Sequence, residues 1–145
     1  MPALDEIGDD ELLYRKISVK SEWYDLLRNE IKPDAFKPWP RDVAGISFDR
    51  ARSEHHPEFR SIEEAARGPS AKGYYVAEFR ARELRSHGFD VTPDPDFEND
   101  NPGHAVLENL RYTEPKDPQC ETKMIRLAHG GLCLRVSGPF PQHSS

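Results

Sequence analysis

Apolar positions in this chain come in short runs, and the spacing within each run predicts a different element. From Gly73 onward, Tyr75, Ala77, Phe79 and Ala81 fall on one face of an extended segment, with Tyr74, Val76, Glu78 and Arg80 on the other. Such alternation predicts a half-buried strand over Tyr74–Phe79. A helix there would set Arg80 and Glu83 on the stripe of Val76 and Phe79, burying charge without a partner. The strong helix formers Arg82-Glu83-Leu84-Arg85 follow, closed by Gly88, a residue suited to the left-handed turn after a helix end. Phe89–Thr92 then predicts a strand ended by Pro93 and Pro95, which cannot donate to a ladder. A polar, acidic loop spans Asp94–Asn101, and Pro102-Gly103 turns the chain into His104–Leu107, a further strand.

The flanks read the same way. Leu12–Ile17 predicts the first strand, with Arg15 near its middle. Ser18 or Ser21 can cap a short helix through Trp23, Tyr24, Leu26 and Leu27, whose spacings of three and four form an apolar stripe, with Pro33 as its stop. Residues 36–42 are too rich in proline for a central strand and predict an extended loop leading into the strand Gly45–Phe48. Ser61 and Glu64 form a capping box at the start of a short helix. Asp117-Pro118 opens another helix, through Met124, Ile125 and Leu127 to Gly130-Gly131, and Leu132–Val136 is the last predicted strand. About six short strands and three or four short helices, without regular βαβ alternation, define an α+β class. One domain is expected over 12–136, between a disordered acidic start at 1–11 and a mobile tail at 137–145.

Composition narrows the function classes. The 145 residues carry 20 basic and 26 acidic side chains, a net charge of -6, which argues against a dedicated nucleic-acid binder. The acids are segregated, however. Ten of the 26 lie either at the start (Asp5, Glu6, Asp9, Asp10, Glu11) or in and just before the later loop (Asp90, Asp94, Asp96, Glu98, Asp100). The remainder of the chain is therefore net basic and can carry a cationic face. No apolar run reaches the roughly 20 residues needed to span a bilayer, and the start is acidic, so a soluble, cytoplasmic protein is expected. Cys120 and Cys133 lack metal or redox spacing and read as free thiols. No His, Cys or acidic set stands at metal-ligand spacing; the adjacent pair His55-His56 cannot aim both rings at one ion from a helix or a strand.

Several residues remain as candidates for chemistry. His104 follows Pro102-Gly103 at the mouth of a strand, where an imidazole can act as acid, base or ligand; the competing reading is a ring bonded to a neighbouring loop. Arg41 and Asp42 occupy a stiff loop in which the guanidinium can bind a carboxylate or phosphate, or else a structural bond pins the loop. Arg82 and Arg85 share a helical face and can ring an anion with Arg41, or pair with nearby acids. Phe97, an aromatic within an acidic loop, either tucks back to anchor it or stays out as a contact residue. Ser47 lacks a Gly-x-Ser-x-Gly elbow.

Two segments, F-K-P-W-P-R-D-V-A-G-I-S at residues 36–47 and P-G-H-A-V-L at residues 102–107, together resemble a group of small bacterial proteins carrying F-x-P-x-P-x-D-x-x-G-I-S and P-G-H-A. That resemblance covers roughly Leu12–Leu110 and implies no activity. A weaker likeness is to ADP-ribosyltransferase-like and NAD-degrading toxin folds, which open on a strand bearing Arg or His followed by a strand bearing Ser. It implies catalytic roles for Arg15 and Ser47, here grouped with His104, and NAD as the ligand. This sequence departs from that pattern in having no Glu-x-Glu on a late strand. The leading expectation is a bacterial binding domain for a partner protein or small anionic ligand, without cofactor. The alternative is a nucleotide-acting enzyme using NAD.

Overall fold

The computed structural model describes residues 6–70, 72–112 and 118–141. Its centre is one six-stranded sheet in which every neighbouring pair is antiparallel. In chain order the strands and helices are β1 (Leu12–Ser18), β2 (Tyr24–Asp25), β3 (Glu30–Ile31), β4 (Ile46–Arg50), α1 (Ile62–Ala65), β5 (Tyr74–Arg80), α2 (Ala81–Ser86), β6 (Val91–Pro93), β7 (His104–Leu107), α3 (Pro118–His129) and β8 (Cys133–Phe140). Across the sheet the order is β6-β7-β4-β1-β5-β8, and β2 with β3 forms a separate small hairpin. The class is α+β, as the element pattern predicts. No helix among the described residues is long and apolar enough to cross a membrane.

Register assigns the two faces. Leu13 stands opposite Phe79 in β5 and Arg50 in β4, Ile17 opposite Tyr75, and Ile46 opposite Leu107. This side joins the main core, where Phe36, Leu84, Phe89, Met124 and Leu127 come in from the connections and helices. Phe79 meets the edges of Phe36 and Phe48 at 5.9 and 5.7 Å, the T-shaped arrangement that suits ring quadrupoles. On the opposite side a smaller cluster of Tyr74, Val76 and Ala66 packs with Tyr14, Ile62 and Phe140. The rest of that face, around β4 and β7, is left for the cleft described below.

Three elements differ from expectation. β5 is not half-buried: Tyr74–Phe79 are buried on both sides, because β5 lies between β1 and β8 and both faces are covered. Its Glu78, 3% exposed, is accommodated by the Arg135 guanidinium, which donates from Nε to Oε1 at 2.9 Å. The helix expected through Trp23–Leu27 is instead the β2–β3 hairpin. There the Asp25 carboxylate accepts the backbone N–H groups of Leu27 and Arg28, Asn29 adopts φ 53°, and Tyr24 stacks on Tyr75 at 4.0 Å. A short polar side chain that bonds its own backbone outcompetes helix propensity. The strand expected at Phe89–Thr92 is shifted to Val91–Pro93, with Phe89 buried before it.

Both ends make contacts with the domain. Ile7 is buried, and Asp9, Asp10 and Glu11 pair with Arg85, Arg82 and Arg50, so from residue 6 the acidic start is tied to the domain. β8 continues to Phe140, four residues past the expected end at Val136. Asp117 and residues 142–145 lie outside the described residues. The helix beginning at Ser61 has both halves of its capping box, Glu64 N–H to Ser61 Oγ at 3.2 Å and Ser61 N–H to Glu64 Oε1 at 2.9 Å.

Candidate functional site

The cleft begins with the local geometry of β4. Gly45 enters the strand at φ 139°, where a Cβ would lie 2.2 Å from the Leu107 carbonyl oxygen; only glycine permits that approach. Ile46 and Phe48 then turn into the core, and Ser47 and Asp49 face out. In the β4–β7 register Ser47 is opposite Val106 and Asp49 opposite His104, so Ser47 and His104 are diagonal neighbours on the outward face. β7 pairs next with β6, and Asp94 N–H donates to the His104 carbonyl at 2.8 Å just past the end of that ladder. Pro93 and Pro95 flank Asp94 and hold it extended.

The result is a connected set of polar atoms. His104 Nδ1 lies 2.9 Å from the Asp94 carbonyl oxygen and 3.2 Å from its Oδ2, and His104 Nε2 lies 3.0 Å from Ser47 Oγ. A carbonyl oxygen can only accept, so Nδ1 carries the proton of the neutral ring. Nε2 is then the free lone pair, placed to accept the Ser47 hydroxyl proton. The ring of His104 bonds the neighbouring loop, and that bond fixes its tautomer toward Ser47.

Around this set lies a cavity of about 510 Å³, within the usual range for small-molecule sites. Five basic residues line it, Arg15, Lys16, Lys20, Arg41 and Arg60, against two acidic ones, Asp42 and Asp49. A chain of net charge -6 thus keeps an excess of three positive charges in one cleft. Tyr14, Trp23, Trp39 and Tyr74 add aromatic surface, Trp39 with 44% of its area exposed.

The basic residues are not equivalent. Arg15 shares the core-side face of β1 with Leu13 and Ile17, and donates from Nε and Nη2 to the Ala35 carbonyl and from Nη1 to the Ser47 carbonyl. It braces β4 against the turn at Pro33–Phe36, and burial pushes its pKa down to about 10. Burial also lowers the Lys16 ammonium, which donates to the Arg67 carbonyl and sits 4.7 Å over the Tyr74 ring. Arg60 leans on Asp49 at 3.9 Å and donates to the Asn99 carbonyl. Arg41 is exposed and has no hydrogen-bond or ion-pair partner among the described residues. Its neighbour Asp42 has the pinning role, taking the Trp39 N–H at 2.6 Å and accepting Tyr112 N–H on its carbonyl.

Arg15, Ser47, Arg41, Asp42 and His104 therefore border one cleft, while Arg82 and Arg85 do not join them. The expected ring of Arg41 with those two arginines does not form, because Arg82 and Arg85 bind Asp10 and Asp9. Phe97, on a 3-10 turn closed by Asp96 and Asn99, is 77% exposed and does not tuck back. His56 stacks on Phe59 at 4.6 Å, and no group of three or more His, Cys, Asp or Glu residues among the described residues could hold a metal ion. Neither Cys120 nor Cys133 forms a disulfide.

Lys16, Lys20, Asp49 and Arg60 in the cleft lining, and Asp94 behind His104, are site residues that the sequence reading missed. The one signal for Asp94 was its place between two prolines, and nothing local says that it will meet His104. No protein-family model, curated protein or solved structure matches the chain.

Proposed function

We propose that this domain binds a small anionic ligand carrying a planar group, of the nucleotide class, in the cleft on the outward face of β1 and β4. The observation that carries the reading is the exposed Arg41, without a hydrogen-bond or ion-pair partner among the described residues, in a cleft with three excess positive charges and an open Trp39 beside it. A guanidinium presents paired donors that match a phosphate or carboxylate, and an indole face suits a base or other planar ring. The rigid Pro-x-Pro loop holds Arg41 in place before binding, which lowers the ordering cost. NAD belongs to this ligand class, so the nucleotide-acting alternative shares the same cleft.

Calorimetric titration with ADP, NAD and inorganic phosphate at low and high salt tests the reading. Binding of one of these that weakens with salt is expected, with Arg41→Ala costing about 1.5 to 3 kcal/mol, or 10- to 150-fold in Kd. Absence of binding by all three at millimolar concentration, or equal affinity in Arg41→Ala, would sink it.

A further inference from the structure

We propose that Ser47 is a nucleophile activated by His104, with Asp94 as the positioning residue, and that the cleft hydrolyses a carboxylic ester of a small anionic molecule. The relay is independent of the anion-binding reading; only the charge assigned to the substrate rests on it.

The argument starts from proton positions. Asp94 offers His104 Nδ1 two acceptors, a carbonyl at 2.9 Å and a carboxylate oxygen at 3.2 Å, so the proton is held on that nitrogen. The carboxylate also stabilises the imidazolium that forms when Nε2 takes a second proton. Nε2 faces Ser47 Oγ at 3.0 Å, inside the range for a nucleophile and its base. Ser47 is exposed, so an electrophile can reach it, while His104 is only 20% exposed and held from both nitrogens. A serine on a solvated strand that only filled space would need no imidazole of fixed tautomer beside it. The elbow found in many serine hydrolases is absent, but the chemistry requires geometry rather than that turn.

In the first step Ser47 Oγ attacks the ester carbonyl carbon and its proton passes to His104 Nε2. The carbon–oxygen bond to the leaving alcohol breaks, and that oxygen takes the proton from Nε2. Water then attacks the acyl carbon, giving its proton to Nε2, and the acyl–Ser47 bond breaks as Ser47 Oγ recovers a proton. The carboxylic acid product, which releases its proton to water as it leaves, and the regenerated serine close the cycle. The excess positive charge lining the cleft favours the oxyanion that develops at each attack.

An uncharged alkyl fluorophosphonate tests the relay without relying on anion binding. Its phosphorus should bond to Ser47 Oγ with loss of fluoride, giving one adduct on the folded full-length chain, located by peptide mass spectrometry. Ser47→Ala should abolish the adduct, and His104→Gln should slow labelling at least 100-fold. The wild-type rate should rise with pH through one ionisation that His104→Gln lacks, and Asp94→Asn should slow labelling while circular dichroism stays unchanged. Absence of labelling in the folded wild type overturns the proposal, as does equal labelling of Ser47→Ala or a His104→Gln rate within threefold of wild type. Wild type and Ser47→Ala together separate the two readings: labelling of a wild type that binds none of ADP, NAD or phosphate leaves the relay standing, and ADP binding kept in Ser47→Ala with the adduct lost leaves the binding site standing.

Discussion

Removing the Glu11 carboxylate should be the costliest single change in the N-terminal segment. Arg50 is 1% exposed, and its Nε and Nη2 donate to the two Glu11 oxygens at 2.8 and 2.7 Å. Breaking a buried ion pair by deleting one partner costs roughly 3 to 5 kcal/mol, because a desolvated charge stays behind. Here Nη2 keeps the Glu6 carbonyl at 2.8 Å, and the guanidinium keeps the Phe59 ring 4.7 Å away. Those retained contacts place Glu11→Ala at the lower end, about 3 kcal/mol, against a total of about 5 to 15 kcal/mol for a domain. Glu11→Gln preserves one acceptor oxygen and should cost about 1 to 2 kcal/mol. Urea denaturation read by tryptophan fluorescence measures both, and the melting point of Glu11→Ala should fall by roughly 6 to 12 °C.

The pH dependence supplies a second readout. Burial acts to raise the Glu11 pKa, but the Arg50 and Gly8 hydrogen bonds outweigh it and the group sits below its ordinary value. A carboxylate depressed in the folded state contributes stability that is present above its unfolded pKa and is lost as the pH falls through the folded one. Glu11→Gln should therefore flatten part of the acid limb of the stability curve and leave the neutral region parallel to wild type. A cost below about 1 kcal/mol for Glu11→Ala, or an unchanged acid limb, would refute the claim that this pair anchors the segment.

Two further outcomes follow from the geometry. Phe97→Ala should change stability by less than about 0.5 kcal/mol, since the ring is 77% exposed; a loss above about 2 kcal/mol in chemical denaturation would show a packed anchor and remove it as a contact residue. Gly45→Ala should destabilise by at least about 2 kcal/mol, because its Cβ would meet the Leu107 carbonyl at 2.2 Å with φ at 139°; an unchanged melting point would mean that the β4–β7 entry tolerates a side chain there.

The sequence alone determined what is periodic or punctuated. Alternation marked β5, short apolar runs marked β1, β4 and β7, the Ser61–Glu64 spacing marked a helix start, and Gly88 marked a helix end, here at φ 83°. Each is set within a few residues by backbone sterics and local hydrogen bonds, so it can be read without knowing the fold. Segregation of acids likewise pointed to a cationic surface elsewhere, and Ser47, His104 and Arg41 were legible as reactive or anion-binding types. What the sequence could not decide is who meets whom. Asp94 faces His104 only because β6 pairs with β7, Glu11 reaches Arg50 across 39 positions, and Arg135 neutralises Glu78 across 57. The hairpin at Tyr24–Ile31 displaced a helical stripe for a related reason: Tyr24 gains its stacking partner, Tyr75, from a distant strand. Such pairings depend on the strand order β6-β7-β4-β1-β5-β8, which the packing of both sheet faces selects and no local period encodes.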